Sequence, residues 1–185
     1  MPDFPRPSQS ELTRQRAEHA ELLAAGTLPS RLDLTLSEAL VIGLLRQGVR
    51  IYFTVFGHGS TEVGEVLRIY QAAGLLKVYG LRSEIEASHA AAALRWVTGE
   101  KAAVVTSIGP GALQALAASL APASDGLGVW YLFGDETTED EGFNMQQVPK
   151  HEQGLFHHLC SVMGHAYTLH TPLSLPTALQ RGAAV

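Results

Sequence analysis

Residues 82–112 read RSEIEASHAAAALRWVTGEKAAVVTSIGPGA, and the order of their pieces decides the fold. Ser83 and Glu86 have the S-x-x-E spacing of a capping box, so a helix is predicted over 84–98. Glu84 falls in its first turn, where the helix dipole favours a carboxylate by up to about 1 kcal/mol. Ala87 and Ala90–Ala93 keep that helix slim enough for close packing by a neighbour. KAAVVTS, 101–107, is then apolar without alternation, as expected of a strand covered on both faces. A glycine-rich turn and another helix, GALQALAASLAPA, follow.

The same alternation extends in both directions. Thr35-Leu36-Ser37-Glu38 has capping-box spacing ahead of a helix that stops at Gly48, and VRIYFTVFG reads as a buried strand. STEVGEVLRIYQAAG is a helix and LLKVYG a short strand. Beyond 112, GLGVWYLFG is a strand, HEQGLFHHLCSVMG a helix, HAYTLH a short strand, and LPTALQRGAAV opens a last helix. The expected fold is α/β, a parallel sheet with helices on both faces and ligand chemistry at the carboxyl ends of the strands. Residues 1–33 stand apart as an N-terminal helical extension, with a sparse apolar stripe in SQSELTRQRAEHAELLAAG; the domain proper spans 34–185.

Bulk properties narrow the function classes. The chain has 185 residues, 46% hydrophobic and 17% charged, enough for one domain with a core. A net charge of −5 with scattered Lys and Arg argues against nucleic acid as a partner. No apolar run reaches the ~18 residues of a membrane helix, and the polar N-terminus lacks a signal peptide's apolar core. Cys160 is the one cysteine, so no intramolecular disulfide forms and a cytoplasmic location is expected.

Several motifs fail on spacing. GHGSTEVG is not a dinucleotide fingerprint, because Glu62 stands where the third glycine belongs. The turn still brings backbone N–H groups and His58 near a ligand, the alternative being a plain tight turn with His58 in solvent. His157 follows His151 by six residues rather than four, so no metal site is expected. GDETTEDEG reads as a solvated loop without calcium-loop spacing.

Taken whole, residues 82–112 resemble the pyrimidine-binding domain of thiamine-diphosphate enzymes in the acetolactate synthase and pyruvate decarboxylase superfamily. Glu84, His89 five residues on, Thr98-Gly99 before a short strand, then Thr106-Ser107 and Gly-Pro-Gly-Ala stand at family spacing. The likeness runs from about Leu34 to the end of the chain. VFGHGSTEVGEVL, the Ile108 inserted in TSIGPGA, and NMQQV look most like trihydroxycyclohexanedione hydrolases. The sequence departs from the superfamily at Ser83, where histidine is usual, and at Ala93-Leu94, where Gly-Tyr is.

The resemblance implies thiamine diphosphate as cofactor and Glu84 as the catalytic carboxyl, hydrogen-bonded to N1′ of the aminopyrimidine so that the ring can take the C2 proton. It makes Gly109, Pro110 and Gly111 the loop beside the ring, and His58, His89 and Gln146 candidates for the substrate side. It also implies a separate diphosphate-binding domain holding Mg²⁺ through Gly-Asp-Gly. GDE at 134–136 does not match that motif. The expectation is therefore the front part of a longer chain, lacking the final strand of its domain, or a separate subunit; either works as a homodimer and is inactive in isolation. Two readings stay open: part of an enzyme acting on a C–C bond beside a carbonyl, or a non-catalytic binding or regulatory module of the same fold. The sequence does not distinguish decarboxylation, carboligation and ring hydrolysis.

Overall fold

A computed structural model describes residues 7–135 and 155–183. Strands β1 (Ile51–Val55), β2 (Lys77–Gly80), β3 (Ala102–Thr106) and β4 (Trp130–Phe133) form one all-parallel sheet in the order β2-β1-β3-β4. Ile51 stands level with Lys77 on one side and Ala102 on the other, and Ala103 with Trp130. Strand β3 is buried throughout because strands flank it and helices cover it. The apolar run at 102–106 therefore has its physical cause.

Helices α1 (Gln9–Ala24), α2 (Leu36–Arg46), α3 (Thr61–Ala72) and α8 (Leu175–Gly182) cover one face. They enclose a core of Val41, Leu44, Tyr52, Val66, Leu67 and Val105. Helices α4 (Glu84–Thr98) and α5 (Pro110–Ala118) cover the other, where Ala87, Ala91 and Ala115 let helix backbones lie close over Val104. The small side chains also allow the Ser88 hydroxyl to donate to Ala115 O at 3.0 Å, joining α4 to α5. Helix α6 (Leu120–Ser124) follows after a break at Ser119, whose hydroxyl turns back to Leu116 O at 2.7 Å, and α7 spans Leu155–Met163.

Four local expectations change. At α2, Thr35 caps as expected, accepting from Glu38 N at 3.3 Å. The Glu38 carboxylate does not close the box; it is 1% exposed, accepting from Tyr70 Oη at 2.9 Å and contacting His19 Nδ1 at 3.1 Å. Burial, followed by the charge of Glu38, raises the Tyr70 hydroxyl above its ordinary range. The expected strand in HAYTLH does not form, since residues 165–169 pair with no strand among the described residues. The single helix expected over GALQALAASLAPA is two, α5 and α6.

Helix α4 runs over the span read from sequence, 84–98. It starts at Ser83, which accepts from Glu86 N at 3.2 Å, and stops at Gly99 in the left-handed region; the expected box is only half made, since the exposed Glu86 carboxylate does not return to Ser83 N.

Candidate functional site

Strands β1 and β3 are neighbours, but their connections leave in opposite directions: β1 continues through α3 to β2, and β3 through α5 to β4. A crevice opens at such a reversal, at the carboxyl ends of the strands. Two glycine-rich turns meet there. In the turn after β1, the Ser60 hydroxyl donates to Gly57 O at 3.0 Å and accepts from Gly57 N at 3.1 Å. In the turn after β3, Ile108 N donates to His58 O at 3.1 Å and stitches the two turns together. A third turn, after β4, presses on the first. A Cβ on Gly134 would stand 2.8 Å from His58 O, and one on Gly59 2.8 Å from Asp135 N.

Glu84 is the first residue of α4, and its placement at this rim follows from where the helix begins. It is 8% exposed, and no hydrogen bond among the described residues engages its carboxylate. The first turn of α5 comes directly against it. A Cβ on Gly111 would lie 2.8 Å from Glu84 Oε1 and 2.5 Å from Ser107 Oγ, so only glycine leaves both groups in place. Ser107 in turn backs onto Gly57, where a Cβ would meet the serine Cβ at 2.7 Å. The carboxylate oxygens are not sealed off, so they face the crevice rather than the core. Their acceptor capacity is unspent among the described residues.

Ser107 was not singled out from sequence. The signal was present as the serine of TSIGPG, but its place beside Gly111, which also abuts Glu84, arises only when the turn after β3 packs against the start of α4. Gly109 is buried at the amino cap of α5 with φ 69°, and Pro110 is exposed at the first position of that helix. His58 is exposed in the turn after β1. His89 is not brought against Glu84: at 3.6 residues per turn it lies about 140° around α4, on an exposed stripe with Ile85 and Trp96. Gln146 and the NMQQV segment lie outside the described residues, as does most of the acidic GDETTEDEG stretch. Among the described residues no cluster of three His, Cys, Asp or Glu side chains is arranged for a metal ion, and no helix is long and apolar enough to cross a membrane.

A doubly wound parallel sheet with a carboxylate at its switch point that no described residue pairs defines an α/β domain suited to take a ligand at the carboxyl rim. Residues 34–161 match the family described as thiamine pyrophosphate enzyme, N-terminal TPP binding domain. The chain belongs to that family. No curated protein matches it. The site fits the family's cofactor, thiamine diphosphate, on two counts. Glu84 has no hydrogen-bond partner among the described residues, so its oxygens can meet a ring nitrogen, and glycine at 111 keeps a side chain off that carboxylate.

Proposed function

We propose that this chain is the pyrimidine-binding part of a thiamine-diphosphate-dependent enzyme acting on a C–C bond next to a carbonyl. The observation that carries the proposal is the Glu84 carboxylate, buried without a donor among the described residues and packed against Gly111. Glu84 holds and exchanges a proton at a ring nitrogen of the pyrimidine, as a positioned general acid–base does. Gly109, Pro110 and Gly111 form the wall beside the ring, with Gly111 keeping side-chain atoms out of its plane. The cofactor supplies the electron sink for cleavage or formation of the bond.

His58, exposed on the turn tied to Ile108, stands on the substrate side. His89 and Gln146 are assigned there by family spacing. The cyclic-dione hydrolase reading rests on the sequence likeness around Ile108, the inserted residue, which here is buried and donates its N–H to His58 O. A diphosphate-binding domain, in a longer chain or a second subunit, contributes the diphosphate and Mg²⁺ contacts. Exposed Ile85 and Trp96 on α4, with Leu113 on α5 and Leu120 on α6, fit a second copy of the chain and hence a symmetric dimer.

Glu84→Gln in the assembled enzyme tests the reading, with hydrogen–deuterium exchange at C2 of the cofactor as the readout. Exchange is expected to slow about 10²–10⁴-fold, while Glu86→Gln, at an exposed cap position, leaves it unchanged. Equal rates in wild type and Glu84→Gln refute the catalytic role and leave a non-catalytic module of the same fold.

A further inference from the structure

Helix α1 lies outside the residues matched to the family, yet it buries two charge-bearing side chains, Arg16 and His19. Arg16 is 0% exposed. Its Nη2 meets Glu62 Oε2 at 2.5 Å and Thr35 Oγ1 at 3.5 Å, while Nε and Nη1 are buried with no partner among the described residues. The Glu62 side chain is half-exposed, so solvent weakens the ion pair that remains. Such a group is a poor source of stability. An apolar side chain of similar volume in its place is often neutral or better.

What Arg16 does supply is registration. Thr35 is the amino cap of α2, and Glu62 is the second residue of α3, two beyond Ser60 and four beyond His58. One guanidinium therefore touches the starting turns of two helices at the carboxyl rim of the sheet. A second anchor, His19 to Glu38 with Tyr70 on the same carboxylate, fixes α1 on α2 and α3. From Glu62 the chain of contacts is short. Ser60 closes the turn through Gly57, and His58 O receives Ile108 N from the Gly-Pro-Gly loop.

We propose that Arg16 is a positioning residue, through which α1 holds the first turn of α3, and with it the His58 turn, in register with the loop beside Glu84. This coupling goes beyond the cofactor reading and does not depend on what binds at Glu84.

Amide hydrogen exchange in the chain, followed residue by residue by NMR, separates this role from bulk stabilisation. In Arg16→Met and in Glu62→Gln, the amides of Gly57 and Ile108 are expected to exchange about tenfold faster, the size of coupling carried between packed elements. Val104 and Val105 in β3 are expected to keep their wild-type rates. Glu62→Gln changes a half-exposed side chain, so it decides the matter even if Arg16→Met does not fold. Unchanged exchange at Gly57 and Ile108 overturns the proposal. So does equal acceleration across β1 and β3, which is the mark of a general loss of stability.

Discussion

Replacing Gly111 with alanine puts a methyl carbon where the structure leaves no room for one. The new Cβ stands 2.5 Å from Ser107 Oγ and 2.8 Å from Glu84 Oε1, against 3.4 Å or more for ordinary contact. Ser107 cannot retreat freely, because its own Cβ already lies against Gly57. The carboxylate must then move by about half an ångström, an overpacking strain of about 1–3 kcal/mol. Alanine's better helix propensity returns about 1 kcal/mol, so a net loss of about 0–2 kcal/mol is expected in urea unfolding. The effect on chemistry is larger. If a 1 Å misplacement costs about 100-fold, half of it costs about tenfold in cofactor C2 exchange in the assembled enzyme. Gly80→Ala is the control, since a Cβ there meets nothing within 4 Å. Wild-type stability together with wild-type exchange in Gly111→Ala refutes the packing of the loop against Glu84.

Other perturbations probe the scaffold. Tyr70→Phe leaves the buried Glu38 carboxylate with only His19, and is expected to lower stability by about 1–3 kcal/mol; an unchanged urea midpoint contradicts the assigned hydrogen bond. Trp96→Glu places a charge in the exposed stripe of α4 and is expected to shift a dimer to monomer in sedimentation without loss of secondary structure; an unchanged association state removes that face from the interface. Burial pushes the Cys160 thiol up from its ordinary range, so its alkylation at neutral pH is expected to be several-fold slower in the folded chain than in urea. Equal rates contradict its packing.

The alternation of strands and helices was legible because each element carries its own local signature. Residues 84–98 and 102–106 have capping chemistry, small-residue runs and uninterrupted apolarity that no tertiary contact overrides. What α1 does was not legible, for a physical reason. Its anchoring residues are Arg16 and His19, and a search for an apolar stripe passes over buried charge. Glu38 misled for a related reason: its spacing from Thr35 satisfies a capping box, but Tyr70, 32 residues away in sequence, takes the carboxylate. HAYTLH has the composition of a strand, but no neighbouring strand pairs with it among the described residues. At the site, the position of Glu84 was readable while its want of a donor was not, since that depends on what α5 and β3 bring beside it. Ser107 escaped notice on the same ground.

The meeting of Gly59 and Gly134 bears on how this rim can change over generations. Strands β1 and β4 are not neighbours, yet the backbones of their exit turns lie so close that a Cβ on either residue would fall about 3 Å or less from the other turn. Gly59 also has φ of 77°, a conformation that a larger residue adopts only with strain. A side chain at one position therefore forces the other turn aside, and once it has moved, the cost of a second side chain there is no longer what it was. The two substitutions are not additive. Variation at 59 and 134 is expected to be inherited as a single trait, and a population drifting along this sequence passes through both changes together or neither.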